Sequence, residues 1–304
     1  MTRERLLSGF FILYASALVL SAISLIPHAH WKSKNKSGRL AVVHIYGVIR
    51  TNDSAEPWSS PDADDVVRQL HELSEDEDVK AILLRINSPG GTVAAVQEIH
   101  EEILRCKSKG QIVVASLGDV AASGGYYLAS AADRVVADSG TITGSIGVIL
   151  EFPNLEGLMQ KFGVKLEVIK SGAHKDIGSP ARPLTAEEQR MLQASINDAY
   201  GQFVGAVARG RHLPEDQVKA LADGRIFTGQ EAQKAGLVDE LGNREDAVQI
   251  AIRLAHLPDH PQIVSDTNRS VLSLVKHMSS QQSAGAFEAL SRHWTGPALE
   301  YRWK

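Results

Sequence analysis

Cysteine, aromatic residues and excess charge of one sign are all scarce in this 304-residue chain. A single cysteine, Cys106, excludes any disulfide within the chain. The formal net charge of −4 argues against a broad basic surface, so nucleic acid is not an expected partner. No spacing of cysteine, histidine or carboxylate residues matches a metal site, and we expect neither a metal nor a cofactor.

What the chain does contain is a long apolar run near its N-terminus. Residues 6–26 are 21 consecutive residues without a charge, and Pro27 follows them. A helix of that length spans about 30 Å of hydrocarbon, whereas a cleaved signal peptide has a shorter apolar core of about 7–15 residues. No clean small-residue cleavage site follows the run. We therefore interpret residues 1–27 as an uncleaved signal anchor with a transmembrane helix at 6–26.

Positive charges flank this apolar run on both sides. Arg3 and Arg5 precede it. Four basic residues follow it: Lys32, Lys34, Lys36 and Arg39. A simple positive-inside count would place the rest of the chain in the cytoplasm.

Strand and helix patterns alternate along the chain between residues 39 and 258, after a hydrophilic linker at 28–38. Such alternation is typical of parallel βαβ units and indicates an α/β fold. Two capping boxes start further helices, at Thr185 with Glu188 and at Thr228 with Glu231. The predicted strands include 40–49, 81–86, 111–116 and 166–169, and the predicted helices include 64–73 and 93–107.

The C-terminal segment, residues 259–304, gives no clear pattern. We expect it to be either disordered or docked on a neighbouring subunit. The domain organisation predicted from the sequence is therefore an anchor at 1–27, a linker at 28–38, a catalytic domain at 39–258 and this extension.

Ser123 is a candidate nucleophile. It stands where the predicted strand at 111–116 leads into a predicted helix at 123–132, and Gly124 and Gly125 follow it. Serine at such a turn presents its Oγ while the next backbone N–H groups point towards developing negative charge. The alternative is an ordinary helix N-cap, which is also common for serine.

Two lysines beyond the predicted strand at 166–169 are candidate general bases. Lys170 and Lys175 both occur in the turn-rich segment 170–180. A lysine serves as a base only if burial lowers its pKa from about 10.4 to about 7. Lys175 is favoured over Lys170, because a position at a strand end suits an exposed charge.

Five motifs in this order resemble those of the bacterial signal peptide peptidase A family, the Ser/Lys serine proteases of the Clp/crotonase superfamily. The resemblance covers about residues 40–254. The motifs are Asn87-Ser88-Pro89-Gly90-Gly91, Ala122-Ser123-Gly124-Gly125-Tyr126-Tyr127, Thr143-Gly144-Ser145-Ile146-Gly147-Val148, Lys170-Ser171-Gly172-Ala173-His174-Lys175-Asp176 and Ala222-Asp223-Gly224-Arg225.

The resemblance implies roles for three residues and an architecture. By similarity to the family, Ser123 is the nucleophile, Lys175 is the general base, and Ser145 hydrogen-bonds the lysine amine. It further implies a Clp/crotonase-like spiral of ββα units, preceded by the one transmembrane helix, and a homo-oligomeric ring of subunits.

Glycines of the first two motifs are candidate oxyanion donors. Gly90 and Gly91 lie at the turn between a predicted strand and a predicted helix, where a backbone without Cβ atoms can approach a ligand closely. We assign the N–H groups of Gly91 and Gly124 to the oxyanion hole, with Gly90 as the near alternative to Gly91. Without the other motifs, an ordinary glycine turn would explain the same residues.

A Ser/His arrangement is the competing chemistry. His174 adjoins Lys175 in a turn, so only one of the two is expected to face the site. His100 falls near the apolar face of its predicted helix, and His44 lies within the first strand, so we expect both to pack. No carboxylate motif is present to orient a histidine, as this chemistry normally requires.

The resemblance implies a membrane-anchored, ATP-independent serine endopeptidase that degrades signal peptides and other apolar peptides. It also implies a catalytic domain on the periplasmic side of the cell inner membrane, against the positive-inside count. Two alternatives stay open. A crotonase-like acyl-CoA enzyme shares the glycine oxyanion hole but needs no Ser/Lys pair, and a catalytically inactive membrane scaffold would share the fold alone.

Overall fold

One nine-stranded sheet organises the part of the chain that the structure, a computed structural model, describes: residues 38–51, 62–265 and 300–302. The main hydrogen-bonded order is β6-β5-β3-β2-β1-β8, while β4 pairs with β3 and β7, and β9 pairs with β2. The strands are β1 (Arg39–Ile49), β2 (Val79–Thr92), β3 (Ile112–Ala122), β4 (Arg134–Ala137), β5 (Ile142–Gly144), β6 (Ile226–Thr228), β7 (Glu240–Leu241), β8 (Gln262–Ser265) and β9 (Glu300–Arg302).

Helices alternate with the early strands, and the central strands run parallel, as the βαβ pattern predicts. Strands β1 to β5 pair in parallel with their neighbours in this group, whereas β6 joins β5 antiparallel. The fold is therefore mixed α/β. The helices of the described residues are α1 (Ala63–Ser74), α2 (Val93–Ser108), α3 (Gly124–Ser130), α4 (Glu156–Lys161), α5 (Ala186–Arg211), α6 (Glu215–Leu221), α7 (Gly229–Lys234) and α8 (Arg244–Leu254).

Alternate residues of the central strands face two separate apolar clusters. In β2, Ile82 and Leu84 join the larger cluster, to which α1, α2, α3 and α5 contribute side chains. Ala81 and Leu83 face the smaller cluster, which contains the buried side of α8. A parallel sheet covered on both faces requires nearly continuous apolar strands, which is why the run at 81–86 carries no polar alternation.

The predicted transmembrane helix at 6–26 lies outside the described residues. The chain divides between Lys36 and Ser37 into two units, and every described residue belongs to the second. Among those described residues, no helix combines the length and apolarity needed to cross a membrane.

One predicted strand, at residues 166–169, is wrong. Residues 164–170 have no regular secondary structure, and no described strand pairs with them. The side chains of Leu166, Val168 and Ile169 are exposed. Apolar residues favour a strand only where a neighbouring strand and a core cover them, and this segment lacks that cover within the described chain.

The sheet extends beyond residue 258, into the segment that the sequence left without a pattern. Strand β8 pairs in parallel with β1, from Arg39 opposite Gln262 onwards. Strand β9 pairs antiparallel with residues 90–92 of β2. These two parts of the C-terminal extension therefore belong to the sheet of their own chain.

Both predicted capping boxes are confirmed, and the one at α5 is reinforced by an arginine. Thr185 Oγ1 accepts from the Glu188 N–H at 3.2 Å, and Glu188 Oε2 accepts from the Thr185 N–H at 2.9 Å. The Glu188 side chain is only 2% exposed and accepts two further bonds from the Arg182 guanidinium. Arg182, followed by the Thr185 backbone, lowers the pKa of Glu188 to about 2.

A second buried ion pair joins the end of α5 to the sheet. Arg211 Nη1 and Nη2 donate to the two carboxylate oxygens of Asp239 at 2.9 and 2.8 Å. The same carboxylate accepts from the Val135 N–H of β4 at 2.7 Å. Because the Arg211 side chain is only 6% exposed, losing one partner would leave a charge without compensation.

We predict that Arg211→Ala lowers the free energy of unfolding by about 3 kcal/mol, because Asp239 would stay half-buried without its cation. Urea unfolding followed by circular dichroism measures the loss. Lys219→Ala is the matched control, since the exposed Lys219 pairs only with neighbours on α6 and should change stability by less than about 0.5 kcal/mol. Equal effects of the two changes would contradict the assignment.

Glu188 should make stability depend on pH in a defined window. Its folded pKa lies below its unfolded value, so its contribution is complete above the unfolded pKa and is lost as pH falls towards about 2. Glu188→Gln should therefore destabilise the protein markedly at about pH 6 and much less at about pH 3. Urea midpoints of both proteins at the two pH values test this. Glu187→Gln, at the exposed neighbouring position, should give no such pH-dependent difference.

Candidate active site

Three of the predicted site motifs meet where neighbouring parallel strands approach their ends. In the register of β3 and β5, Ala122 lies opposite Gly144, so Ser123 and Ser145 are the residues that directly follow the two strands. In the register of β2 and β3, Ser88 lies opposite Ala121. The sheet thus brings together two serines and the glycine turn that are 22 to 57 residues apart in the chain (145 − 123 and 145 − 88).

Ser123 adopts a strained backbone conformation at the turn from β3 into α3. Its φ of 52° and ψ of −116° are unusual for a residue with a Cβ, and its side chain makes no capping hydrogen bond. Ser123 therefore stands at the N-cap position of α3, but its side chain does not cap the helix. Such strain costs about 1–3 kcal/mol and persists only where surrounding contacts hold it, which is typical of functional sites.

Backbone contacts hold Ser123 in this conformation. Its N–H donates to the Gly144 carbonyl of β5, and its carbonyl accepts from the Tyr127 N–H, both at 2.8 Å. Ser123 is 1% exposed, and its Oγ makes no hydrogen bond within the described residues. The backbone of Ser123 is therefore fixed, while its hydroxyl takes part in no structural hydrogen bond within the described residues.

Helix α3 fixes the direction of the chain after Ser123. Its residues are all buried, and Tyr126 Oη donates to the Leu237 carbonyl at 2.8 Å. At Gly125, a Cβ would lie 2.8 Å from the Ser88 carbonyl oxygen, so only glycine permits this approach of α3 to β2. The close contact brings the glycine turn of β2 beside the start of α3, where Gly124 also lies.

Ser145 resembles Ser123 in its backbone and burial. Its φ is 50°, its N–H donates to the Arg225 carbonyl at 2.8 Å, and it is 8% exposed. Thr143, two residues earlier, donates from Oγ1 to the Ala121 carbonyl at 2.6 Å and ties β5 to β3. Ser145 is thus positioned beside Ser123 by the same pair of strands.

The glycine turn of β2 distinguishes between the two candidate oxyanion donors. Gly90 has a φ of 107°, and its N–H donates to Ser88 Oγ at 3.1 Å. A Cβ at Gly91 would lie 1.7 Å from the Ile49 carbonyl oxygen, so the backbone of β1 requires glycine there. The Gly90 N–H therefore has a side-chain partner, while Gly91 pairs with β1 and β9 in the sheet. The assignment of Gly91 as the donor stays a prediction.

Lys175 does not join this cluster through a hydrogen bond. Its side chain is exposed in a turn at 173–178 whose other residues are mostly half-buried, and within the described residues its amine bonds neither to Ser123 nor to Ser145. Lys170 is engaged elsewhere, since its Nζ donates to the Ala173 carbonyl at 2.8 Å and to Asp176 Oδ1 at 2.6 Å. The assignment of Lys175 as general base therefore stays a prediction.

The sequence analysis missed a side-chain network beside this turn. Arg182 donates to Asp176 Oδ1 at 2.8 Å and to Glu188 Oε1 at 2.6 Å, which links the lysine turn to the start of α5. The only signal in the sequence was the capping box at Thr185, which predicts where Glu188 lies but not that an arginine reaches it.

The three histidines considered as bases make no hydrogen bond to Ser123. His100 is buried on α2, its ring meets that of Tyr127 at 4.9 Å, and burial lowers its pKa. His174 Nε2 lies 3.8 Å from Glu187 Oε1. His44 packs edge-on against Tyr46, and burial lowers its pKa. Each of these three rings therefore interacts with a residue other than Ser123 or Ser145.

The described residues also contain no group of three or more histidine, cysteine, aspartate or glutamate side chains that could hold a metal ion. Cys106 is buried in α2, where burial raises the pKa of its thiol to about 11. It is accordingly a structural residue rather than a nucleophile.

Comparison with known proteins agrees with this arrangement of strands and serines. The family model of peptidase family S49 matches residues 105–257, and that of Clp protease matches residues 48–139. Together the two matches run from β1 to α8 and include both serines and the glycine turn. The domain is accordingly Clp-protease-like.

Three relatives have sequences similar to this chain. A Synechocystis sp. protein provisionally named a protease is 51% identical over 209 residues, covering 69% of this chain and 75% of that protein. A Methanocaldococcus jannaschii protein with the same provisional description is 38% identical over 249 residues, 81% of this chain and 79% of that protein. An Enterococcus faecium protein provisionally named signal peptide peptidase SppA is 38% identical over 212 residues, 69% and 62% of the respective chains.

Half of the chain matches one family model, and close relatives are covered over most of their length. The strained serine between a parallel strand and a buried helix agrees with the chemistry that this family's description implies. The chain belongs to peptidase family S49, the family of signal peptide peptidase A, and is a serine-type peptidase.

Proposed function

We propose that the protein is an ATP-independent Ser/Lys endopeptidase, in which Ser123 is the nucleophile and Lys175 the general base. The observation that carries this proposal is the strained backbone of Ser123, whose Oγ makes no hydrogen bond within the described residues. In the assembled, active protein Ser145 would hydrogen-bond the lysine amine and orient it, a bond that the described residues of the single chain do not make. The N–H groups of Gly91 and Gly124 form the oxyanion hole.

In the proposed reaction, the neutral amine of Lys175 removes the proton from Ser123 Oγ as the oxygen attacks the peptide carbonyl carbon. Two backbone N–H groups stabilise the tetrahedral oxyanion. The lysine ammonium then gives its proton to the departing amine, which leaves an acyl-serine. Lys175 next removes a proton from water, the hydroxide attacks the acyl carbon, and the returning proton regenerates Ser123.

A homo-oligomeric ring would supply the dry surroundings that a lysine base needs. The segment that precedes Lys170 exposes several apolar side chains to solvent, among them Phe162, Val164, Leu166, Val168 and Ile169. We propose that a second copy of the chain covers this arm, defined here as residues 158–169. The same contact would exclude water from the turn that carries Lys175, which follows the arm directly.

The proposed substrates are signal peptides and other apolar peptides, cleaved in an extended conformation. One relative carries the provisional name signal peptide peptidase. Strand β9 pairs antiparallel with residues 90–92, so this side of β2 already holds an extended strand directly beside Gly91. A peptide chain that took the place of β9 would lie next to the proposed oxyanion donors.

The uncharged run at 6–26 supports a location at the membrane. We propose that it anchors the protein as a single span in the cell inner membrane, with the catalytic domain on the periplasmic side. An anchored peptidase of this kind would meet signal peptides where they remain after their release.

We predict that Ser123→Ala and Lys175→Ala each lower kcat for peptide hydrolysis by about 10³-fold or more, because nucleophile and base act as one unit. Ser145→Ala should cost about 10- to 100-fold, as expected for a supporting hydrogen bond. Lys170→Ala should be much milder than Lys175→Ala, and Lys219→Ala should behave as wild type. Steady-state kinetics on an apolar peptide, with circular dichroism to verify folding, give the comparison.

The same variants separate the alternatives. A fluorophosphonate probe should label the wild-type protein at Ser123 and leave Ser123→Ala unlabelled. An unlabelled wild type would favour an inactive scaffold, and acyl-CoA turnover without labelling would favour a crotonase-like enzyme. If Lys170→Ala is the more damaging lysine change, the base has been assigned to the wrong residue.

We predict that the full chain stays in the membrane fraction after an alkaline wash, because a spanning helix is held far more firmly than a surface helix. A chain lacking residues 1–37 should be soluble and active, since β1 and all proposed site residues lie beyond the deletion. Immunoblots of the two fractions measure this. Protease added to spheroplasts should digest the domain, and its protection until lysis would place it in the cytoplasm instead.

A further inference from the structure

Lys170 and Lys175 differ in whether their amines have an ion-pair partner. Lys170 Nζ donates to Asp176 Oδ1 at 2.6 Å and to the Ala173 carbonyl at 2.8 Å. Lys175 is exposed and has no ion pair within the described residues. Asp176 directly follows Lys175 in the chain, yet its carboxylate is turned towards Lys170 and Arg182 instead.

Arg182 is the centre of this arrangement. Its Nε donates to Asp176 Oδ2 at 3.1 Å and its Nη2 to Asp176 Oδ1 at 2.8 Å. Its Nη1 and Nη2 also donate to Glu188 Oε2 and Oε1 at 2.8 and 2.6 Å. One guanidinium therefore binds two carboxylates with paired bonds, a geometry that the single ammonium of a lysine cannot reproduce.

Glu188 gives the network a rigid end. It is the third residue of α5, its side chain is 2% exposed, and it also accepts from the Thr185 N–H. Helix α5 is 26 residues long in all and buries Phe203 and Val207 in the core. The lysine turn is thus tied through Asp176 and Arg182 to an element that cannot move without disturbing the core.

The charges within the network cancel. Lys170 and Arg182 contribute two positive charges, and Asp176 and Glu188 contribute two negative charges. Both carboxylates are nearly buried, since Asp176 is 13% exposed and Glu188 is 2% exposed. A carboxylate close to a lysine stabilises its ammonium form and would weaken it as a base. The Asp176 carboxylate is bound to Lys170 and Arg182, and it forms no ion pair with Lys175 within the described residues.

We propose that Arg182 and Asp176 are positioning residues, which fix the turn that carries Lys175 to α5 and hold Lys170 in an ion pair, so that of these two lysines only Lys175 has no ion-pair partner within the described residues. This inference rests on the proposed function of Lys175 as the general base. Arg182 acts through the turn and touches no reacting atom.

Kinetics of Arg182 variants test the positioning role. Arg182→Ala should lower kcat on the order of 10- to 100-fold while KM stays within about twofold, because a misplaced base slows chemistry more than substrate binding. Arg182→Lys keeps the charge but not both paired contacts, and should recover part of the loss. Arg190→Ala, an exposed arginine on α5, is the matched control and should match wild type. Rates are expressed per mole of assembled protein isolated by gel filtration.

A merely structural role would give a different pattern. Arg182→Ala would then reduce the amount of assembled protein and leave kcat of that protein unchanged, which would overturn the inference. If Ser123→Ala or Lys175→Ala retains activity, the proposed function has failed. If both are inactive while Arg182→Ala equals wild type, only the positioning role is lost.

Amine labelling tests the ion pair between Lys170 and Asp176 without measuring activity. A limiting amine reagent and peptide mapping compare Lys170 with Lys80, an exposed lysine of β2 outside the arm. Lys170 should react about two- to fivefold more slowly than Lys80, the range expected for a partly exposed ion pair. Asp176→Asn should remove this difference. Equal rates in the wild-type protein would show that Asp176 does not hold Lys170 in an ion pair. A difference in rate that remains in Asp176→Asn would contradict the ion pair as well.

Discussion

Parallel hydrogen bonding between β2, β3 and β5 is the constraint on which the candidate site depends. It sets Ser123 beside Ser145 and brings the glycine turn of β2 alongside. Near its end, each strand passes through a positive φ: 107° at Gly90, 52° at Ser123 and 50° at Ser145. The three bends lie side by side only because the strands run in the same direction, since antiparallel neighbours would place their ends at opposite edges of the sheet.

The two strained serines require compensation from the packing around them. Strain of about 1–3 kcal/mol at each is a large share of a typical folding free energy of about 5–15 kcal/mol. Helix α3 offsets part of it, because full burial of a large side chain such as Tyr126 or Leu128 contributes about 1.5–3 kcal/mol. Ser123 lies at the start of this well-packed helix, and Ser145 is held beside it by the hydrogen bond from its N–H to the Arg225 carbonyl.

The strand ends could be predicted from sequence, but the lysine turn could not. The apolar runs before Asn87 and Ser123 are bounded by glycines, so local pattern and final sheet agree there. At 166–169 the same kind of run is exposed, because strand formation depends on neighbours that this part of the chain does not have. Arg182 left no signal either, since it lies outside any helix or strand and its partners, six residues away on each side, follow no periodicity.

A Ser/Lys mechanism further requires that water be excluded from the lysine amine, because desolvation favours its neutral form. Keeping a lysine neutral near pH 7 costs about 4 kcal/mol, which is three pKa units. Each large apolar side chain that becomes buried contributes about 1.5–3 kcal/mol in return. Covering Leu166, Val168 and Ile169 of the arm would therefore more than offset the cost of drying the adjoining turn. Under the proposed function, assembly and activation would then be one event, because the contact that covers the apolar arm would also allow Lys175 to act as a base.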